Sequence, residues 1–259
     1  MVKISYITIT FNAEATIPHT IESVLCQDYE AIEHIIVDGA SRDRTLDIAE
    51  AYKRESDSRN NGHEVKIISE PDNGIYDAMN KGLALASGKY ICFLNAGDSL
   101  PQKNIVSLLV KGIENKTEDA LPAVLYGDTE IVDSNRYNLG KRRLSPPETL
   151  TWKSFKNGML VCHQSFYART DLAKQVKYDL SYRHSADFDW CIRLMRLAET
   201  NRIPFYNSHL TLTNYLKEGD TTMHHKDSLI ERYNIMCKYY GKISTILRHI
   251  WFAVRNISK

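Results

Sequence analysis

The chain is expected to fold as one α/β domain built on a mostly parallel sheet, and two features of its first hundred residues carry that expectation. Short, nearly continuous apolar runs alternate with longer segments whose apolar residues recur every three or four positions, the pattern of βαβ units. Each apolar run also ends in a small polar or acidic cluster, as strands do when their carboxyl ends open onto a binding edge.

Four strands are read, Ile4 to Thr10, His34 to Asp38, Val65 to Ser69 and Tyr90 to Leu94. Their lack of strict alternation fits strands covered on both faces. Three helices lie between them. The first carries Ile17, Ile21, Val24 and Leu25, the second Leu46, Ile48 and Ala49, and the third Ala78, Leu83, Leu85 and Ala86. Right-handed crossovers would then line up the loops after the strands along one edge. Past Pro101 the pattern loosens into a helix near Asn104 to Glu114, a β-rich run from Ala123 to Val132 and a hairpin around Asn138 to Gly140. A second helical pattern, Asp187 to Ala198, turns Trp190, Ile192, Leu194 and Leu197 mostly inward, and Arg202 to Tyr215 reads as a strand pair.

With 259 residues, 43% of them hydrophobic, the chain can bury one sizeable core. Its formal charge of +1, from 33 basic and 32 acidic residues, supplies no global field for nucleic acid, and no nucleic-acid partner is expected. Five scattered cysteines argue against a disulfide framework and a zinc site, and fit free thiols in a reducing cytoplasm. No run approaches the roughly 20 apolar residues needed to cross a bilayer, and no signal segment opens the chain. From Arg232 to Lys259 there are six Lys or Arg and no acid, with Ile246, Leu247, Ile250, Trp251, Val254 and Ile257 on one helical face. Such a basic amphipathic helix suits either packing on the domain or lying on a membrane surface.

The polar strand ends carry the chemistry. Thr8 to Asn12 stops an apolar strand at a polar turn, and Val37-Asp38-Gly39-Ala40-Ser41-Arg42-Asp43 puts a carboxylate where it can accept a pyrimidine ring N–H or a ribose hydroxyl. Ser41 and Asp43 read first as helix caps. In Glu70 to Gly82 a turn at Pro71 to Gly74 precedes Asp77, Asn80 and Lys81 at helical spacing. Phe93-Leu94-Asn95-Ala96-Gly97-Asp98 ends in an acid. Diphosphate chemistry needs a hard cation held by carboxylate oxygens, and Asp98 is the natural first ligand.

These four segments, in this order and spacing, resemble family 2 glycosyltransferases over roughly the first hundred residues. The resemblance implies a GT-A fold, a nucleoside-diphosphate sugar as donor substrate, Mn2+ or Mg2+, and inversion at the anomeric carbon. Asp38 and Asp77 would contact base and ribose, and Thr10, Asn12 and Glu14 would line the same pocket. Ser41, Asp72, Tyr76, Asn80, Lys81, Asn95, Ala96 and Gly97 are expected along the same donor site, with Asp98 on the metal. The domain would span 1–220, with a donor-binding half at 1–100 and an acceptor-binding half at 101–220, followed by a helical extension at 221–259. The expected acceptor is a hydroxyl of a saccharide or lipid-linked molecule in cell-surface polysaccharide synthesis. A lipid-linked acceptor favours the membrane reading of the tail, with the protein cytoplasmic and peripheral on the inner membrane face.

The chain departs from the family at two places. The metal motif commonly reads Asp-x-Asp-Asp, whereas Asn95 and Gly97 stand in its first and third positions here. His224 is a candidate second metal ligand, with His225 beside it. In Ser185-Ala186-Asp187-Phe188-Asp189-Trp190, the family's Glu-Asp pair becomes Ala186 and Asp187. Asp187 is expected as the general base that deprotonates the acceptor, with Asp189 as fallback, although acids opening a helix also serve as caps. His163, before Gln164, is expected near the donor sugar or acceptor, a satisfied core histidine being the other reading. Trp152 and Trp190 could stack on a sugar or simply pack.

Two alternatives are kept. A nucleotidyltransferase would carry a glycine-rich basic loop after the first strand, where Thr-Phe-Asn-Ala-Glu stands here. A non-catalytic sugar- or nucleotide-binding protein of the same fold is motivated by Asn95, Gly97 and Ala186, and opposed by Asp38, Asp77, Asp98 and Asp187.

Overall fold

A computed structural model describes residues 1–217 and 225–257, with side chains from 253 onward and that of His225 left aside. The element order is β1 (Ile4–Thr10), α1 (Ile17–Leu25), β2 (Ile32–Asp38), α2 (Thr45–Arg59), β3 (Glu64–Ser69), α3 (Ile75–Leu85) and β4 (Tyr90–Phe93). There follow α4 (Ile105–Lys111), β5 (Val124–Val132), β6 (Asn138–Lys141), β7 (Phe166–Arg169), α5 (Thr170–Ala173), α6 (Ala186–Thr200), β8 (Phe205–Leu216), α7 (His225–Tyr240) and α8 (Lys242–Ile257).

The strands form one sheet in the order β3-β2-β1-β4-β7-β5-β6, with β8 pairing parallel to β5. The first four run parallel, as the alternating pattern predicts, and β7 joins β4 in the antiparallel sense. Because β1, β2, β3 and β4 point the same way, their polar carboxyl ends meet on one edge. Helices cover both faces. The larger core gathers α3, α5 and α6 around Phe93, Phe166, Phe188 and Trp190, and a second core packs α4 against Tyr6, Tyr90 and Tyr167.

Charge inside this sheet is held by matched partners. Glu33 of β2 is fully buried and takes hydrogen bonds from Ser5, from the Ser87 amide (2.8 Å) and hydroxyl (2.7 Å), and from Lys66 (2.6 Å). Burial alone would raise its carboxyl, but these donors, Lys66 and Ser5 first, hold it down to about 2. The neighbouring His34 sits fully buried between Thr8 (2.9 Å) and Tyr52 (2.9 Å), and burial pushes its imidazole down to about 3.

The second half corrects three expectations. Asn138 to Gly140 is the returning strand of the hairpin, and the turn lies earlier, where Asp133 accepts the amides of Asn135 and Tyr137 at 2.9 Å. Arg202 to Tyr215 holds one long strand instead of a pair. Left-handed His209 (φ 56°) and two register shifts against β5 absorb the irregularity that reads as a turn. The basic tail is broken at Gly241 (φ 81°) into α7, whose Ile235 and Met236 are buried in the larger core, and α8. Trp152 and Trp190 both pack. Trp190 is buried against Tyr178 and donates to the Val176 carbonyl, while Trp152 stacks on Tyr240 and bonds Glu199. All five cysteines are free, and among the described residues no helix is long and apolar enough to cross a membrane.

Candidate active site

Asp38 ends β2 with its carboxylate fully buried and surrounded by donors, namely Thr10 (3.1 Å), the Ser41 amide (3.0 Å), the Ser41 hydroxyl and Ser69 (2.7 Å). It thereby fastens the carboxyl ends of β1, β2 and β3 together. The loop behind it is stapled to the end of β1. Asn12 gives its amide to Ser41 and accepts the Arg42 amide, each at 2.9 Å, while Glu14 accepts the Arg44 amide (3.0 Å) and gives its own to Asp43 (3.1 Å). Asp43 accepts the amide and hydroxyl of Thr45 just ahead of α2, but the N-cap position is Arg44 without a side-chain cap, so neither Ser41 nor Asp43 is the cap expected. The side chains of Asn12, Glu14 and Ser41 are thus engaged in shaping the rim.

What this rim presents to solvent is Phe11, 63% exposed at the mouth of β1. Sequence reasoning passed over it. The available signal is an aromatic residue beyond the last buried strand position, where no core waits for it. Beside it Gly39 is bare for a reason, because a Cβ there would stand 2.6 Å from Asp72 Oδ2 and 3.4 Å from the Phe11 ring. Phe11, Gly39 and Asp72 therefore lie side by side on the rim, an exposed aromatic ring and a carboxylate close over a bare backbone.

The turn before α3 is built from its own acids. Asp72 accepts the Gly74 amide at 2.8 Å, and Asp77 accepts the Asn73 amide at 3.0 Å and its side chain at 3.3 Å. Lys81 reaches back to the Pro71 carbonyl and Glu70, both at 2.8 Å. Asn80 exchanges two hydrogen bonds with the backbone of Tyr178, so it positions α3 and does not face the rim.

A second cluster gathers where α3, the loop after β4, the turn before β7 and the first turn of α6 meet. Asp187, 8% exposed, accepts from Tyr76 Oη (3.3 Å) and lies 3.2 Å from His163 Nδ1. Burial would raise this carboxyl, but the His163 bond, the Arg232 guanidinium and the Phe188 amide bring it down to about 2. On its other side, His163 Nε2 meets Asn95 Nδ2 at 3.3 Å. The Asn95 carbonyl oxygen is buried with no partner. Asp187, His163, Asn95 and Tyr76, read separately from the sequence, thus form one connected group. Ala186 is fully buried in the core, where a glutamate would be costly.

Asp98 lies in the same loop as Asn95, 4% exposed. One oxygen accepts the Leu216 amide and the other Gln164, both at 2.9 Å. Burial dominates and lifts the carboxyl to about 6. Gly97 between them has φ 104°, and a Cβ would come 2.8 Å from a Leu216 methyl, so an aspartate there would carry backbone strain and push the end of Leu216 aside. Ala96 lies half-buried in the same loop. Asp189 faces away from all of this. It is fully buried and held by Arg193, Tyr239 (2.7 Å) and Lys238 (3.4 Å), which makes it an anchor between α6 and α7 and out of reach of an acceptor. His224 lies outside the described residues. Among those described, no three His, Cys, Asp or Glu converge as a metal cage.

Comparison with known proteins identifies the family and the fold. The model of glycosyl transferase family 2 matches residues 5–176. The PGL/p-HBAD biosynthesis glycosyltransferase of Mycobacterium tuberculosis is 34% identical over 191 residues, covering 73% of this chain and 68% of that protein. An uncharacterized glycosyltransferase of the same organism is 32% identical over 225 residues, covering 85% and 75%. Among solved structures, S. aureus TarS 1-349 in complex with UDP-GlcNAc superposes with a TM-score of 0.68 at 21% identity over 90% of this chain, which spans 64% of that fragment. The mannosyltransferase PcManGT from Pyrobaculum calidifontis, in complex with GDP-Man and Mn2+, gives a TM-score of 0.61 at 12% identity over 98% of this chain and 75% of its own. These two likenesses concern the fold, which is GT-A. With a family match over most of its length and the strand-end acids in place, the chain belongs to glycosyl transferase family 2.

Proposed function

We propose that this glycosyltransferase moves a sugar from a UDP-sugar to a hydroxyl of a saccharide or lipid-linked acceptor in cell-surface polysaccharide synthesis, with inversion and with Mn2+ or Mg2+. The observation that carries the reading is Asp187, a carboxylate nine-tenths buried yet held ionised between Tyr76 and His163. In this reading Asp187 takes the acceptor proton as the acceptor oxygen bonds the anomeric carbon. The bond from that carbon to the diphosphate oxygen breaks, and its electron pair leaves on the nucleoside diphosphate. Attack and departure on opposite faces invert the configuration.

The donor reading rests on exposed Phe11 beside Asp72 as a surface for the base, and on UDP-GlcNAc and GDP-Man being bound by the two similar structures. The metal reading rests on donor chemistry. The orphaned Asn95 carbonyl oxygen and the remaining lone pairs of Asp98 are hard oxygen ligands, and a cation of this class completes its shell with phosphate oxygens and water. Such a cation would offset charge on the departing diphosphate. A membrane site at the inner face is supported by α8, whose Ile243, Leu247 and Ile250 are 78%, 62% and 56% exposed among basic residues.

The deciding experiment is thermal melting against a panel of nucleoside diphosphates with and without Mn2+, followed by product analysis with the matching sugar nucleotide. Metal-dependent stabilisation by one diphosphate, selective for UDP, and an inverted product are expected. No shift with any diphosphate would support the non-catalytic alternative.

A further inference from the structure

We propose that His163 is a positioning residue that locks the side-chain amide of Asn95 with its carbonyl oxygen turned to the donor's divalent cation, coupling the base carboxylate to the metal side of the site. The inference rests on the transferase reading above and deepens it by explaining how an asparagine can serve where the family commonly has an aspartate.

An amide has one acceptor end and one donor end, so an asparagine ligates a hard cation in only one of its two flips. Something must choose the flip. Asp187 is an acceptor only, which requires His163 to present Nδ1–H to it across 3.2 Å. The NH2 end of Asn95 faces Nε2 across 3.3 Å, so in this pair Nε2 accepts from the amide. With its nitrogen so engaged, Asn95 directs the oxygen elsewhere, and that oxygen is buried without any partner. A buried orphaned acceptor is costly unless a ligand satisfies it. The rest of the loop is committed, since Gly97 holds a positive φ that strains any side chain and Asp98 is turned to Gln164 and the Leu216 amide.

The test uses the symmetry of carboxylate. Asn95→Asp replaces an amide that can be wrongly flipped by a group whose two oxygens are equivalent, so it no longer needs His163. Mn2+ affinity of the full chain with UDP present, measured by calorimetry, is compared for wild type, His163→Asn, Asn95→Asp and the double variant. His163→Asn can keep a donor near Asp187 but loses the acceptor that faced Asn95. Outer-shell partners of this kind are worth ~10-fold or more in metal affinity. A loss of that size is expected when His163→Asn is made in the wild type, and less than about a twofold change when it is added to Asn95→Asp. Equal losses in both backgrounds, or none in the first, would overturn the proposal. His163→Gln supplies a second arm. Its longer amide can reach the Nε2 position, so Mn2+ affinity should hold near wild type while kcat falls through the lost Asp187 contact. A Gln variant that loses as much affinity as the Asn variant counts against amide locking. If wild type itself takes up neither UDP nor Mn2+, the transferase reading fails instead, which is a separate outcome.

Discussion

Tyr76 places its phenol oxygen 3.3 Å from Asp187 Oδ1, and this contact joins α3, which follows the donor-side turn, to the first turn of α6. Tyr76 is itself stacked on Tyr178 at 5.5 Å, and Tyr178 on Trp190 at 5.1 Å. The carboxylate proposed as base therefore rests on an aromatic column inside the larger core, and its position follows that of α3.

Replacing Asp187 by Asn should leave the fold and UDP binding near wild type and lower kcat by roughly 10²–10⁴-fold, the usual worth of a positioned general base. Because its carboxyl is held at about 2, the base is ionised throughout ordinary buffers, and kcat/KM of the wild type should show no acidic limb attributable to it above about pH 4. Steady-state kinetics across pH on both proteins checks this, and a fully active Asn variant would remove the assignment.

Stability should fall on mild acidification because of His34. Its folded-state imidazole is pushed down to about 3, while the unfolded chain protonates near 6.5, so the unfolded state binds more protons between those values. The contribution is full above about pH 6.5 and is lost progressively below it, amounting to about 2 kcal/mol by pH 5. Glu33 adds a second loss at lower pH, since its carboxyl at about 2 protonates only after that of the unfolded chain. His34→Gln should shrink the difference in Tm between pH 7.5 and pH 5, and an unchanged difference would show that the buried ring is not its source.

One methyl group tests the proposed base contact. Gly39→Ala sets a Cβ against Asp72 and Phe11, whose side-chain ends can shift, so Tm should change little while UDP affinity falls about tenfold. Phe11→Ala, at an exposed position, should move stability by less than about 0.5 kcal/mol and weaken UDP by the ~1–3 kcal/mol of a base–aromatic stack. Fluorescence titration with UDP reads both.

β1, β2 and β4 are legible because buried parallel strands write themselves as apolar runs, and Ile4 to Thr10 matches the observed β1, whereas β3 at the sheet edge is only partly buried. The β8 strand reads as a pair because a bulged strand and a turn share the same local signal, and only its pairing with β5 distinguishes them. At the site, residue types announce Asp187, His163 and Asn95, but their order of contact depends on elements far apart in sequence. Asp38 and Asp189 show the limit from the other side. Both look chemically available in the sequence, and both are fully buried with their oxygens committed to neighbours that no spacing rule reveals.

Asp189 should prove structural. Its removal as Asp189→Ala leaves Arg193 and Lys238 without their shared carboxylate and frees Tyr239, loosening α7 from α6. Breaking such a buried arrangement costs about 3–5 kcal/mol, so Tm should drop clearly while turnover per folded molecule stays within about threefold of wild type. Thermal melting paired with active-site titration separates the two effects, and a stable but inactive variant would return Asp189 to the list of candidate bases.

The last prediction concerns α8. Ile243, Ile246, Leu247 and Ile250 are 40–78% exposed, a stripe too apolar to face water along a whole helix without a partner surface. Lys242 and Arg248 lie on the same helix, and from Arg232 to Lys259 there is no acid, so an anionic bilayer matches in both hydrophobicity and charge. The protein should sediment with vesicles containing anionic phospholipid and not with neutral ones, and the bound fraction should fall as salt rises. Leu247→Glu, at a 62% exposed position, should abolish binding while leaving Tm and UDP affinity intact. Wild-type protein that ignores anionic vesicles would place the stripe against a protein surface, and sedimentation equilibrium would then show whether that surface is a second copy of the chain.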